Sequence, residues 1–182
     1  MNGPTREELH LRRIELRGFR RSDGLYEVEA NLTDRKAIDF QPPSRDRPIR
    51  AGDLIHDHVV RVAFGADLVI VEVEAYMRVW PYPECPHGAD ILQAMVGVRI
   101  GRGWNSEIRK RLPSGDTCTH LKDMLVSLAS AAVQTMYSVS TLNRHDVNAD
   151  GRPSKIDSCY AYGASSELVL KYWPNHHRPK PG

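Results

Sequence analysis

Apolar and polar positions alternate through most of the first eighty residues. In residues 9–21 the apolar positions Ile14, Leu16 and Phe19 sit among charged neighbours, as in a half-buried strand. Ser22-Asp23-Gly24 then supplies a turn in which glycine accepts positive φ. In residues 25–32 Tyr26, Val28, Ala30 and Leu32 fall on one face, with Glu27, Glu29 and Asn31 on the other, so an antiparallel hairpin is expected. Residues 34–51 are polar and hold Pro42, Pro43 and Pro48, which reads as an irregular loop. Residues 54–64 and 68–79 alternate again around the turn Gly65-Ala66-Asp67, giving four antiparallel strands before residue 80.

The period then changes. Trp80-Pro81-Tyr82-Pro83-Glu84-Cys85-Pro86 is a stiff, non-helical elbow. Ile91, Leu92, Met95 and Val96 have helical spacing, and Gly103-Trp104 opens a second short helix that Pro113-Ser114-Gly115-Asp116 breaks. Leu121, Met124, Leu125, Leu128, Ala132, Val133 and Met136 form one stripe of a long helix ending near Tyr137, with Thr117 or Thr119 as its cap. Residues 155–162 and 167–172 read as strands returning to the sheet. The expectation is one α+β domain with three helices on one face of an antiparallel sheet. Residues 1–8 form a loose arm, 9–79 the sheet, 87–137 the helical part, 138–173 a returning segment and 174–182 a tail.

Composition narrows the partners. The 182 residues are 41% hydrophobic, enough for a core, and the net charge of +2 from 25 basic and 23 acidic residues does not point to nucleic acid. Arg12, Arg13, Arg17, Arg20 and Arg21 interleave with Glu7, Glu8, Glu15 and Asp23, which is the pattern of a solvated two-signed surface. Cys85, Cys118 and Cys159 make an odd number without a disulfide framework, and no apolar run has membrane-spanning or signal-core length. A cytoplasmic protein acting on a small molecule is the expectation, with neither membrane nor nucleic acid as partner and homo-oligomerisation left open.

Candidate chemistry gathers around Cys118-Thr119-His120-Leu121 at the mouth of the long helix. The helix end favours a thiolate, so Cys118 is expected to be the more acidic thiol. His56 and His58 flank Asp57, and alternation turns both imidazoles to one face. Glu72 and Glu74 share a strand face in the same way. They are candidate general acids if the helices cover that face and ordinary polar positions if it meets water. No G-x-S-x-G, H-E-x-x-H or C-x-x-C pattern occurs.

Two chemistries suit these residues. In the first, His58, Cys85, Cys118 and His120 hold zinc or iron, catalytic if a coordination position stays open and structural if four protein ligands close it. In the second, a cofactor-free lyase or isomerase acts on a hydrophobic or aromatic carbonyl compound. His56 or His58 is then the base and Glu72 or Glu74 the acid, with His120 beside them. Tyr76, Trp80, Tyr82 and Trp104 form its walls. Hydrolase, lyase and isomerase remain open within an enzyme reading. A third class is an accessory protein that binds a metal or iron–sulfur cluster and hands it on.

Several segments together resemble a bacterial family known only as domain of unknown function 2889. They are residues 21–30 (RSDGLYEVEA), Asp34-x-Lys36, His56-Asp57-His58, Pro81-Tyr82-Pro83-Glu84-Cys85, Gly101-x-Gly103-Trp104 and Cys118-Thr119-His120-Leu121. The likeness spans about residues 12–173 and implies a bacterial source but no reaction; Thr117 stands where the family pattern usually has glycine. More distantly, the layout is similar to the SufE/NifU-like fold, which includes iron–sulfur scaffold proteins. There three cysteines meet where sheet and helices join, and here His58, Cys85 and Cys118 take those places. That likeness implies a shared pocket. It departs at the first cysteine, replaced by His58, and at the scaffold histidine before the last cysteine, which is Thr117.

Overall fold

The structure is a computed structural model that describes residues 3–137, 147–148 and 150–180. Two compact units divide the chain, 1–138 and 139–182. The outermost residues of the expected arm and tail, with 138–146 and 149 of the expected returning segment, lie outside the described residues.

The first unit is an α+β arrangement. Its sheet has the order β1-β2-β3-β4, formed by β1 (His10–Arg20), β2 (Tyr26–Lys36), β3 (Leu54–Phe64) and β4 (Ile70–Val79), all antiparallel neighbours. The alternation read from sequence sets the faces. Val28, Ala30 and Leu32 of β2 and Val60, Val62 and Phe64 of β3 are fully buried. Helix α2 (Thr119–Tyr137) covers this face with Leu121, Met124, Leu125, Leu128, Ala132 and Met136. Residue 34, expected in a loop, belongs to β2: the same period carries it onto the buried face, where Asp34 is 1% exposed.

Helix α1 (Trp104–Arg111) enters through Gly103 and buries Trp104 and Ile108. The first expected helix is instead a 3-10 segment, Asp90–Met95, following another at Cys85–Gly88. Gly97 stops it too early for the longer α-helical ladder to pay back its nucleation.

One contact fixes how α2 lies on the sheet. A β-carbon placed on Gly18 of β1 would collide with Thr135 Oγ1 and fall 2.8 Å from Thr135 Cβ. Glycine is therefore what lets the helix approach the edge strand.

In the second unit neither expected strand forms, and residues 155–159 are turns and bends. Residues Tyr160–Tyr162 form a 3-10 turn and α3 spans Glu167–Tyr172. The cause is local: Ser166 caps α3, its Oγ accepting the Val169 amide at 3.2 Å, and this capping geometry overrides the strand-like composition.

Gly18→Ala is expected to lower the melting free energy by about 1–3 kcal/mol through overpacking, and Gly18→Ala with Thr135→Ala to recover part of it. Chemical denaturation of the three proteins checks this. Equal stability of Gly18→Ala and the parent would contradict the close approach.

Candidate functional site

The register of the sheet assembles the site. On the covered face Arg12, Asp34 and His56 stand opposite one another on three successive strands, and the next rung carries Ile14, Leu32, His58 and Met77. His56 and His58 thus share a face two residues apart, as alternation requires, with ring centroids 5.2 Å apart. The first turn of α2 lays His120 over them, 4.0 Å from the His56 ring and 5.6 Å from the His58 ring. One nitrogen from each of the three imidazoles lies within 4.8 Å of the others.

Asp34 organises this cluster. Arg12 Nε and Nη2 donate to its two carboxylate oxygens, both at 2.8 Å, in the bidentate geometry that pairs guanidinium with carboxylate. Arg12 Nη1 also donates to Asp123 Oδ2 of α2 at 3.0 Å, so one guanidinium ties β1, β2 and the helix together. His56 Nδ1 meets Asp34 Oδ2 at 2.9 Å, and His10 and His120 approach the same carboxylate at 3.3 and 3.6 Å. Burial pushes the Asp34 carboxyl up, but the Arg12 bonds and charge outweigh it and hold the group below the ordinary aspartate range.

The imidazoles shift the other way. Burial, then repulsion from His120 and His58, lowers His56 to about 4 despite its carboxylate neighbour. Burial likewise lowers His58 and His120. All three are neutral near pH 7, the state in which an imidazole offers a lone pair to a metal. Since ionised Asp34 can only accept, a neutral His56 carries its proton on Nδ1 and leaves Nε2 as donor atom. His58 is fully buried, and among the described residues neither ring nitrogen makes a hydrogen bond of ordinary geometry, although the Asp57 backbone is near enough to favour its protonated form in part.

A cleft of about 680 Å³ opens beside the cluster. His56, Pro81, Cys85, Gly88, Thr117, Cys118 and His120 line its inner part, while exposed Tyr82, Glu84, His87, Gly115, Asp116 and Thr119 form its mouth. The elbow is seated on α2 by the Cys118 amide, which donates to the Gly88 carbonyl at 3.4 Å. A β-carbon on Gly88 would fall 2.9 Å from that amide nitrogen. Cys118 Sγ lies 3.6 Å from His120 Nδ1. The expected acidity of this thiol is not found. Burial raises it, and the amides of Leu121 and His120, which favour the thiolate, compensate only in part.

Other expected site residues lie elsewhere. Glu72 and Glu74 are exposed on the opposite face of the sheet, Glu72 accepting from Arg21 at 2.6 Å and Glu74 lying 3.8 Å from Arg61. Tyr76 is on that face too, beneath the guanidinium groups of Arg61 and Arg78. Trp104 is buried in the core, its indole N–H donating to the Leu125 carbonyl at 2.8 Å. Trp80 uses its carbonyl to accept from Arg45 and does not line the cleft. Of the four expected walls, Tyr82 alone lines it. Sequence reasoning missed Asp34 and Arg12 as site residues. The signal was a carboxylate in register with Val28, Ala30 and Leu32, and an arginine at the same period as Ile14 and Leu16.

The family model described as "Protein of unknown function (DUF2889)" matches residues 10–134. The chain belongs to that family, and the match spans the sheet, the elbow, α1 and nearly all of α2. No curated protein and no solved structure matches it. Among the described residues no helix is long and apolar enough to cross a membrane.

The histidine environment makes a pH prediction for metal-free protein. His56 protonates near 6.5 in the unfolded chain and near 4 in the folded one, so its contribution is complete above pH 6.5 and is lost as pH falls from there towards 4. The loss is on the order of 3 kcal/mol over that window. Denaturation midpoints measured in chelator from pH 8 down to 4.5 should be level above 6.5 and then decline. His56→Gln should decline less. A parent profile that stays level to pH 4.5 contradicts the assignment.

Proposed function

We propose that this chain is a metal-dependent enzyme for a small molecule, in which His56, His58 and His120 hold one zinc or iron(II) ion at the inner end of the cleft. The observation that carries the reading is His58: a fully buried imidazole whose nitrogens make no hydrogen bond of ordinary geometry, beneath the close pair formed by His56 and His120. An unsatisfied buried polar group costs about 1–3 kcal/mol. Coordination removes that cost for one nitrogen. Tetrahedral zinc with bonds of about 2.0–2.1 Å sets its ligand atoms about 3.4 Å apart. Nitrogens already within 4.8 Å need close by no more than about 1.5 Å.

Three imidazoles leave a coordination position for water or a substrate oxygen, and such an ion acidifies its water and polarises a carbonyl. Asp34 fixes the His56 tautomer and supplies negative charge behind the ligands, while Arg12 keeps that carboxylate ionised. His56 and His120 line the cleft and His58 lies beneath, so an ion held by the three would be reached from the cleft. Soft thiolates suit zinc and iron, so Cys118 and Cys85, both free and both lining the cleft, favour a second reading in which the ion is passed to a partner. Transfer of the ion to an acceptor without turnover of any substrate would select that second reading.

Protein purified without oxygen is expected to carry about one zinc or iron per chain. His58→Gln and His120→Gln should abolish stoichiometric binding, and Asp34→Asn should weaken it about 10–100-fold. Elemental analysis and competition with a chromogenic chelator measure both. Metal-free protein whose melting temperature does not move on adding zinc or iron(II) would remove the metal reading.

A further inference from the structure

Thr117 is the second orphan of the interior. It is 7% exposed, its Oγ1 is buried without a hydrogen-bond partner, and it lines the same cleft. It immediately precedes Cys118, whose carbonyl accepts the Lys122 amide at 3.2 Å and so starts α2. The amides of His120 and Leu121 at this end of the 19-residue helix are directed at Cys118, which lines the cleft next to Thr117, and the first turn carries no acidic residue.

We propose that the cleft binds a carboxylate-bearing small molecule, with one carboxylate oxygen accepting from Thr117 Oγ1 at the start of α2 and its apolar body against Pro81 and Tyr82. This deepens the reading of the cleft as a substrate site beside the three histidines, and it rests on that reading. The hydroxyl needs a partner, and the helix end selects one that is negative. Charge at the mouth limits how negative. Glu84 and Asp116 are exposed there, and two carboxylates disfavour a dianionic phosphate more than a singly charged carboxylate. Size agrees, since about 680 Å³ is within the usual range for a small-molecule site. Tyr82 on the stiff elbow offers a ring face, and the buried Pro81 offers a flat apolar wall. A carboxylate so placed leaves the rest of the molecule beside His56 and His120.

The test uses full-length protein with two probes, benzoate and hexanoate, titrated by calorimetry into metal-free and zinc-loaded samples. The variants are Thr117→Val, which keeps the shape and removes the hydroxyl, and Ser130→Ala on the exposed side of α2, which does not line the cleft. Thr117→Val should fold with unchanged or higher melting temperature, because it deletes an unpaired buried hydroxyl. It should weaken probe binding about 5–10-fold. Ser130→Ala should change binding less than twofold, and benzyl alcohol should bind at least tenfold more weakly than benzoate. The proposal is overturned if neither probe binds saturably, or if Thr117→Val binds as the parent does. Zinc content measured on the same samples keeps the two readings apart. Carboxylate binding that depends on Thr117 in protein that takes up no metal supports the subsite and ends the metal centre. A stoichiometric metal with no dependence on Thr117 does the reverse.

Discussion

A buried carboxylate, Asp34, is the constraint on which this site depends. Ion pairs taken out of water lose hydration worth several kcal/mol per ion, and the attraction between them repays it only with good geometry and satisfied lone pairs. Asp34 has both. Two parallel bonds from Arg12 satisfy one edge, and His56 takes a further lone pair. The arrangement fixes more than a charge. Arg12, Asp34 and His56 are one rung across three strands, and the third donor of Arg12 reaches Asp123 on the helix that covers them. A register slip of one residue in β2 would turn Asp34 to solvent and Leu32 with it, so the site and the core demand the same pairing.

The same carboxylate decides what the histidines are. Without it, three imidazoles within a few ångströms in a desolvated corner would have no reason to choose a tautomer. With it, His56 presents a defined nitrogen, and a neutral cluster sits beside a negative group already balanced by Arg12. That balance matters because a second free carboxylate would invite protonation of the imidazoles, whereas a compensated one does not. Burial therefore wins over the carboxylate, and His56 falls to about 4 where an exposed histidine beside aspartate would rise.

The elements with a strong period were legible in the sequence. Four strands and the long helix followed from alternation and from one apolar stripe. The convergence of His56 and His58 followed from their spacing, and the position of His120 from the start of α2. What failed did so where sequence carries no sign of face or of tertiary contact. Glu72 and Glu74 have the spacing of a paired site, but nothing in β4 says which face water takes. Trp104 reads equally as a cleft wall or a core residue, and the Leu125 carbonyl decides it. Residues 167–172 have a strand's composition, and a serine cap makes them a helix. For Cys118 the helix end and burial oppose each other, and only the surroundings say which is larger.

Accounting for buried polar groups separates structure from function more sharply than residue type does. Among the described residues the buried polar or charged ones are Asp34, Asp57, His58 and Thr117. Asp57 is satisfied: Asn31 donates to it at 3.0 Å and Arg78 lies within 3.4 Å on the sheet's other face, so it asks nothing of a ligand. Asp34 is satisfied as well, and its partners are the site. His58 and Thr117 are not, one lying beneath the other two imidazoles and one along the cleft. Folding alone gains nothing from either, since an apolar residue of the same shape would avoid the cost. On the reading proposed above, a ligand would return the stability given up at these two groups. The two groups differ in kind, a nitrogen lone pair and a hydroxyl donor, which is why the proposal assigns them different atoms, an electrophilic ion for one and an oxygen acceptor for the other.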